Sequence, residues 1–354
     1  MTMTTTRSRR RFLVGGLALC GAGALAPALL RRFPGDERGE YQFGGDAMGS
    51  TYSVRFVAPR RDALLASAAR DAVDRAITDV DARMSTFIAS SELSRLNRHR
   101  AETTFPLSPA TFAVLATARR ISDATGGAFD VSAGPLVNAW GFGPDRHPRI
   151  PSRGELAALR ERVGYRRLEL EPQSRSVRKL HRDMDVDLSG IAKGYGADRA
   201  GAALASLGIA DYVVELGGEV LARGRTLDGQ PWRVGIEEPA VAPPRRIRRV
   251  VALADHAMAT SGDYRIYFER DGHRYCHEID PVSASPVAHA LTSVTVAAAD
   301  CMTADALATA LMVLGPAAGY AYAQHDGIAA YFVERAEGGL VDRVTPAFAA
   351  LSAA

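Results

Sequence analysis

The segment Asp187-Leu-Ser-Gly-Ile-Ala-Lys-Gly-Tyr-Gly-Ala-Asp198 constrains the fold of this chain more than any other. An acid, a glycine turn and a lysine follow one another within it. Small and apolar side chains then recur at helical spacing. The pattern predicts a strand that ends at Val186, a turn at residues 189–190 and a helix over residues 191–206.

Such a strand-to-helix junction suits a phosphate group. The first N–H groups of a helix have no partners within the helix and favour an anion in front of them. Lys193 adds a positive charge on the first turn. The same residues also fit an ordinary connection, with Asp187 at the helix start and Lys193 in solvent, so this motif alone leaves both interpretations open.

A second segment, residues 302–316, predicts a helix that begins near Thr303 and ends at Gly315-Pro316. Its apolar stripe consists of Leu307, Ala310, Leu311 and Leu314. Asp305 and Thr309, four residues apart, share the opposite face. A carboxylate and a hydroxyl are hard oxygen donors that suit Mg²⁺. A capping aspartate and a threonine bonded to helix carbonyls are the alternative.

The first thirty residues predict an export signal. Ser8-Arg-Arg-Arg-Phe-Leu13 precedes an apolar, Gly/Ala-rich stretch over residues 13–30, which is typical of a twin-arginine signal for the periplasm. A membrane anchor is the alternative, and an uncleaved signal would associate the protein with the inner membrane.

The net charge of the chain does not favour nucleic-acid binding. The formal net charge is +3, and about −1 remains once the four arginines among the first eleven residues are set aside. The basic run over residues 245–249 is interpreted as a solvated strand edge. Two cysteines remain outside the signal, Cys276 and Cys301, too few for a disulfide framework and without metal-site spacing.

The order of helical and strand patterns predicts an α+β fold with an extensive mixed or antiparallel sheet. A long helix from Asp62, a second between Ser108 and Gly126, and a third opened by Ser152 precede a strand-rich half. Strands are expected at residues 51–57, 212–215, 232–237, 250–254, 274–279 and 291–299. We expect one catalytic domain over residues 40–350.

Ordered motifs between residues 44 and 315 resemble the ApbE family of FAD:protein FMN transferases. The motifs are Asp46-Ala-Met-Gly-Ser-Thr51, residues 84–97, Thr125-Gly-Gly-Ala-Phe-Asp130 with residues 134–143, residues 187–198, Ala259-Thr-Ser-Gly-Asp-Tyr264, residues 275–281 and the helix that carries Asp305 and Thr309. The resemblance implies a T-fold-like architecture. It also implies FAD as substrate and Mg²⁺ as cofactor.

The resemblance implies particular site residues. Asp305, Thr309 and the carbonyl of Gly190 are expected to bind Mg²⁺, and Asp187 and Lys193 to lie at the flavin nucleotide. The other expected flavin-binding residues are Met48, Phe87, Ala128, Phe129, Asp130 and Ile279. Phe87 stands where many members carry tyrosine, so ring stacking is kept and a phenol hydrogen bond is lost.

His277 is the candidate general base, because an unperturbed imidazole titrates near neutrality, and Asp187 is the second candidate catalytic residue. Glu278 and Asp280 are expected to orient His277. The alternative for His277 is a satisfied structural histidine. The loop over residues 282–286 lacks the glycine usual in the family, which puts its contact with an acceptor in question.

Three functions fit these residues. The first is transfer of FMN from FAD to a threonine of a membrane or periplasmic redox subunit, with release of AMP. The second is a Mg²⁺-dependent FAD pyrophosphatase that uses water as acceptor. The third is a non-catalytic flavin carrier, similar to NosX-type relatives, that supplies a respiratory reductase.

Overall fold

The computed structural model describes residues 38–144, 147–240 and 245–353. The predicted export signal lies outside these residues. The described part is α+β and contains eight helices: α1 Ala63–Met84, α2 Glu92–Arg98, α3 Pro109–Ala124, α4 Gly134–Ala139, α5 Arg153–Arg160, α6 Ala192–Ser206, α7 Cys301–His325 and α8 Pro346–Ala353.

A central eight-stranded sheet joins both ends of the described chain, and all its neighbouring strands are antiparallel. In chain order its strands are β1 Arg38–Ala47, β2 Ser50–Pro59, β6 Asp211–Leu216, β7 Glu219–Arg223, β10 Ala257–Gly262, β15 Leu291–Ala298, β16 Ala329–Ala336 and β17 Gly339–Val344. Their spatial order is β1-β2-β6-β7-β10-β15-β16-β17.

Smaller sheets surround the central one. β3 Phe105–Pro106, β4 Leu168–Glu171 and β5 Ser176–Lys179 form a three-stranded sheet. The two-stranded pairs are β8 Trp232–Glu237 with β9 Ile247–Leu253, β11 Tyr267–Arg270 with β12 His273–Cys276, and β13 Ile279–Asp280 with β14 Ser285–Pro286.

The central sheet is covered on both faces. Along β6, Tyr212, Val214 and Leu216 pack with α1 and α6, because side chains of a strand alternate between its faces. Val213 points to the other face and packs with the β8–β9 pair and Phe348 of α8. Helix α7 covers β10, β15 and β16. The cavity described below opens where α6 and α7 meet this sheet.

The predicted helix starts are confirmed by their caps. The side chains of Asp62, Ser108 and Ser152 accept hydrogen bonds from the N–H groups three residues ahead, at the starts of α1, α3 and α5. The start of α7 differs. Its cap is Asp300, whose Oδ1 accepts from Thr303 N, so Thr303 lies inside the first turn.

Two strand predictions are wrong. Residues 185–186 form no strand, because the side chain of Asn97 takes the place of a neighbouring strand: its Oδ1 accepts from Val186 N at 2.8 Å and its Nδ2 donates to Val186 O at 2.9 Å. The expected strand at residues 274–279 is interrupted at His277 and Glu278, between β12 and β13.

Helix α7 is broken at Gly315, whose φ of 78° is not helical. Pro316 has no N–H to donate to the carbonyl of Met312, four residues earlier. His289 Nε2 occupies that carbonyl instead, at 2.9 Å. A side chain at position 315 would collide with His289, since a Cβ there would lie 2.8 Å from its Cδ2. Although α7 is long and apolar enough to cross a membrane, half of its most apolar window is buried in this core.

We predict that His289→Ala lowers the free energy of unfolding by about 1–3 kcal/mol, because it strips the Met312 carbonyl of its donor. Urea unfolding measures this difference. His273→Ala, at an exposed histidine of β12, is the control and should match the parent. A His289→Ala protein as stable as the parent would contradict this account of the helix break.

Candidate active site

Helices α6 and α7 bring together the two segments that the sequence singled out. Asp305 is 4% exposed, and its Oδ2 accepts from Gly194 N at 2.9 Å. Gly194 permits this approach, since a Cβ there would lie 2.3 Å from the carbonyl oxygen of Cys301. The turn before α6 also meets α7, because a Cβ on Gly190 would lie 3.0 Å from Thr309 Oγ1.

A second carboxylate fixes the start of α7 against α6. Asp198 accepts from Cys301 N at 2.8 Å through Oδ1 and from Met302 N at 2.9 Å through Oδ2. A carboxylate at a helix N-terminus pairs unpartnered N–H groups and complements the helix dipole. Burial nevertheless raises the pKa of Asp198 to about 6.

A cavity of about 510 Å³ lies at this junction. Its wall includes six of the predicted site residues that precede β6 in the chain, and these are Ala128, Phe129, Asp130, Asp187, Gly190 and Lys193. It also includes His277, Ile279, Asp305 and Thr309. Met48 and Phe87 are not among the lining residues.

Lys193 is paired with a carboxylate that the sequence analysis missed. Its Nζ donates to Glu219 Oε1 at 2.5 Å, and Glu219 is 2% exposed. Burial alone would lower the pKa of Lys193, but the charges of Glu219 and Asp305 outweigh it and raise that pKa. Burial and the nearby charge of Asp305 raise the pKa of Glu219, whereas the ammonium of Lys193 opposes that rise. The Gly217-Gly218 pair before Glu219 is typical of a tight hairpin, and this pattern could have indicated that Glu219 begins a strand.

His277 lies in the interruption between β12 and β13. Its backbone N–H donates to Ile266 O at 3.0 Å, and its ring Nδ1 is buried without a hydrogen-bond partner among the described residues. Burial, together with the charge of Lys193, lowers the pKa of His277 to about 4. The ring is therefore neutral near pH 7, the form that accepts a proton.

Glu278 lies near this imidazole but does not bond to it. Its Oε1 is 3.7 Å from His277 Nε2, beyond hydrogen-bond distance. Burial raises the pKa of Glu278 to about 8. Asp280, also expected to orient His277, instead accepts from Val282 N and Ser283 N in the following turn.

The two other acids among the predicted flavin-binding residues bond to the protein itself. Asp130 accepts from Ser132 through Oδ1 and from Tyr165 N through Oδ2, and burial raises its pKa. Asp187 Oδ1 accepts from Ser189 N at 2.8 Å and forms the turn before α6. Within the described part of the chain, Asp187 therefore keeps one carboxylate oxygen without such a hydrogen bond, whereas both oxygens of Asp130 are occupied.

Met48 and Phe87 lie apart from the cavity wall in different ways. Met48 begins the tight turn between β1 and β2 with a φ of 49°, a conformation that costs a non-glycine residue energy. Its sulfur packs against α6, 3.3 Å from where a Cβ on Gly196 would lie. Phe87 is 59% exposed.

The loop after Asp280 adopts a glycine-like conformation without a glycine. Ala284 has a φ of 58°, is fully buried, and its carbonyl accepts from Trp140 Nε1 at 3.0 Å. Ala284 thus adopts a left-handed backbone, which is strained for a residue other than glycine.

The cavity wall carries more acids than bases. Its acids are Asp130, Asp187, Glu219, Glu237, Glu278 and Asp305, and its cationic side chains are Lys193 and Arg265. Both cations are already paired, since Arg265 donates to Glu237 at 2.7 Å. A phosphate-bearing ligand would thus meet repulsion unless a cation accompanied it.

Comparisons with known proteins agree with these motifs. The ApbE family model matches residues 48–332. The chain belongs to the ApbE family. The Haemophilus influenzae "FAD:protein FMN transferase" is 37% identical over 338 residues, which are 94% of this chain and 98% of that protein. The Vibrio cholerae protein of the same name is 40% identical over 310 residues, 87% of this chain and 92% of that protein.

Solved structures of the family share the fold. The "Flavin Transferase ApbE from Vibrio cholerae" superposes with a TM-score of 0.81 at 38% identity, covering 89% of this chain and 99% of that one. The apo form of Pseudomonas stutzeri flavinyl transferase ApbE has a TM-score of 0.82 at 38% identity, covering 91% and 99%. The expected α+β architecture of the ApbE family is confirmed.

We predict that His277 stays neutral well below its ordinary pKa. Its NMR ring signals, identified by their loss in His277→Ala, should hold steady from pH 8 to about pH 5.5. They should move only near pH 4. A midpoint near the ordinary value of 6.5 would contradict the buried environment.

The same shift has a consequence for stability. The unfolded chain protonates this imidazole near pH 6.5 and the folded chain near pH 4. The unfolded state therefore binds more protons between these values, and the contribution of His277 to stability is lost as pH falls through that window.

Proposed function

We propose that this chain transfers FMN from FAD to a threonine of an acceptor protein and releases AMP, with Mg²⁺ bound in the cavity. Flavin transfer in general is the activity of its ApbE relatives. The observation that carries the proposal is the meeting of Asp305 and Thr309 with Gly190 and Lys193 in one acid-rich cavity that also contains His277.

The donor set fits Mg²⁺. Asp305 supplies a buried carboxylate and Thr309 a hydroxyl that lies 3.1 Å from Ser261 Oγ. The backbone of Gly190 passes close to that hydroxyl, since a Cβ on Gly190 would lie 3.0 Å from Thr309 Oγ1. No group of three or more His, Cys, Asp or Glu suited to a metal occurs in the described residues. A site with one carboxylate suits an ion that keeps waters and binds substrate phosphate. Bound there, Mg²⁺ would neutralise charge on the pyrophosphate.

The protein's own residues then have distinct tasks. Lys193 holds a phosphate oxygen, and the turn from Asp187 to Gly190 presents backbone groups to the nucleotide. His277 Nδ1 takes the proton of the acceptor hydroxyl. The threonine oxygen bonds to the FMN phosphorus, and the bond from that phosphorus to the bridging oxygen breaks. The bridging oxygen leaves as part of AMP.

Neutral His277 is suited to this task. An imidazole with a pKa of about 4 is unprotonated throughout the neutral range, so the acceptor form is always present. Phosphate charges brought next to it by FAD would raise its pKa and strengthen it as a base. The charge of the buried Asp263 favours the imidazolium that forms.

The acceptor is proposed to be a threonine-bearing subunit of a periplasmic or membrane redox complex. The support is the predicted twin-arginine signal at residues 8–30, which would export the protein to the same compartment. The FAD pyrophosphatase uses the same cavity with water in place of threonine, and it is an outcome of the acceptor test below.

We predict that Asp305→Asn and Thr309→Val each weaken Mg²⁺ binding by roughly tenfold or more, about 1.4 kcal/mol, and lower turnover accordingly. Asparagine can still accept from Gly194 N, so the contact between α6 and α7 is kept. Calorimetric titration with Mg²⁺ in the presence of FAD is the measurement.

Thr303→Val is the matched control for this prediction. Thr303 lies on the same helix, bonds to Asp300 and does not line the cavity. Its Mg²⁺ affinity should equal that of the parent. An Asp305→Asn protein with parental Mg²⁺ affinity would exclude Asp305 as a ligand.

We predict that FAD, Mg²⁺ and a threonine-bearing acceptor yield AMP and an acceptor heavier by one FMN, and that His277→Ala slows this transfer by about 10²–10⁴-fold. Mass spectrometry of the acceptor and chromatography of AMP are the measurements. FAD and Mg²⁺ affinities of His277→Ala should stay near the parent, since the base acts on the acceptor. Free FMN and AMP formed at equal rates with and without acceptor would replace the transferase by the pyrophosphatase.

A further inference from the structure

A two-glycine turn places Glu219 on the cavity wall. β6 and β7 are joined by Gly217 and Gly218, with φ of 65° and 114°, and Leu216 pairs directly with Glu219. Positive φ at both loop residues is the geometry of a tight hairpin and favours glycine. Glu219 is therefore held at the first position of β7, beside the cavity.

One oxygen of this carboxylate accepts a hydrogen bond and the other does not. Oε1 accepts from Lys193 Nζ at 2.5 Å, whereas Oε2 is buried and has no hydrogen-bond partner within the described residues. An unpartnered buried acceptor is unfavourable and uncommon. Such an atom on a cavity wall indicates that a donor comes from a ligand.

A second unpartnered group lies beside it. Ser50 Oγ is also buried without a partner in the part of the chain that the structure describes. A Cβ on Gly217 would lie 3.1 Å from Lys193 Cδ, 3.4 Å from Glu219 Oε2 and 3.4 Å from Ser50 Cβ. The side chains of Lys193, Glu219 and Ser50 thus converge at Gly217, where an added side chain would displace them.

We propose that Glu219 Oε2 and Ser50 Oγ form a subsite for an O–H group of the bound flavin nucleotide, while Glu219 Oε1 fixes the ammonium of Lys193 for the adjacent phosphate. The inference rests on the proposed function. A carboxylate oxygen accepts a hydrogen bond from a hydroxyl and repels a phosphate oxygen. The hydroxyl of the ligand would therefore bind at Glu219, and the phosphate at Lys193.

The proposed O–H donor is a ribityl hydroxyl of FAD, and a water molecule on Mg²⁺ is the alternative that the test distinguishes. The test uses Glu219→Gln, calorimetry, and two probes, FAD and inorganic pyrophosphate, each with EDTA and with Mg²⁺. Lys193 only donates, so the side-chain carbonyl of the substituted glutamine must face it, which leaves the amide NH₂ where the ligand's donor was accepted.

We expect Glu219→Gln to weaken FAD binding by about tenfold or more. Pyrophosphate binding should be unchanged or tighter, because Lys193 is no longer neutralised. Weaker FAD binding in EDTA supports the subsite for a ribityl hydroxyl. Weakening that occurs only with Mg²⁺ would assign Glu219 to a metal-bound water and overturn the proposal. If Glu219 only positioned Lys193, both probes would change alike, and that result would overturn the proposal.

Two further variants keep the test decisive. Glu215→Gln is the matched control. Glu215 is buried on the same hairpin, accepts a hydrogen bond from Gly218 N and does not line the cavity. The Glu215→Gln protein should bind FAD as tightly as the parent does. Ser50→Ala should weaken FAD binding severalfold and leave pyrophosphate binding unchanged, and it carries the test if Glu219→Gln does not fold.

The result separates this inference from the proposed function. A parent chain that binds no FAD refutes both. A parent that binds FAD, with Glu219→Gln and Ser50→Ala binding it equally tightly, refutes only the subsite. Weaker Mg²⁺ binding by Glu219→Gln in the absence of FAD would make Glu219 a metal ligand and also overturn the proposal.

Discussion

The close contact between α6 and α7 is the constraint on which the site depends. Gly194 leaves room for the backbone of α7, and Asp305 spans the gap to the N–H of Gly194. Asp198 makes the reverse connection from α6 to the first N–H groups of α7. Because each helix is held by a carboxylate bonded to the other's backbone, the oxygen donors of α7 and the lysine of α6 are kept in register.

That contact concentrates negative charge. Asp305, Glu219 and Glu278 are buried near one ammonium, Lys193, and burial raises the pKa of all three carboxyls. A wall of this kind is poorly suited to a bare pyrophosphate. It is suited to a nucleotide that arrives with a divalent cation. The cation would offset the negative charge of the carboxylates, and the phosphates would interact with the ammonium of Lys193.

The sequence predicted local features better than pairings between distant segments. The caps at Asp62, Ser108 and Ser152 depend on neighbours within a few residues, so their local sequence patterns sufficed. The substitution of Asn97 for a strand beside Val186 joins residues 89 positions apart, which no local pattern contains.

The residues of the candidate site could be predicted only where the motifs that resemble the family contain them. Ten of its twelve expected residues line one cavity; Phe87 and Met48 do not. Glu219 was missed because its importance comes from Lys193, 26 residues away in the chain. His289 was missed for a similar reason, since its partner is a carbonyl freed by a proline in α7.

Half of the unpartnered buried polar atoms in the described part of the chain lie at the cavity. Six buried side-chain atoms lack a partner in the described residues, and those of Ser50, Glu219 and His277 lie on or beside the cavity wall. The other three, on Tyr165, His289 and Tyr331, belong to residues that do not line the cavity. The three at the cavity, a carboxylate oxygen, a hydroxyl and an imidazole nitrogen, are the ones that a ligand bound there would supply with partners. Under the proposed function, those partners are a hydroxyl of the nucleotide and the hydroxyl of the acceptor, so ligand binding would remove an unfavourable feature of the free protein.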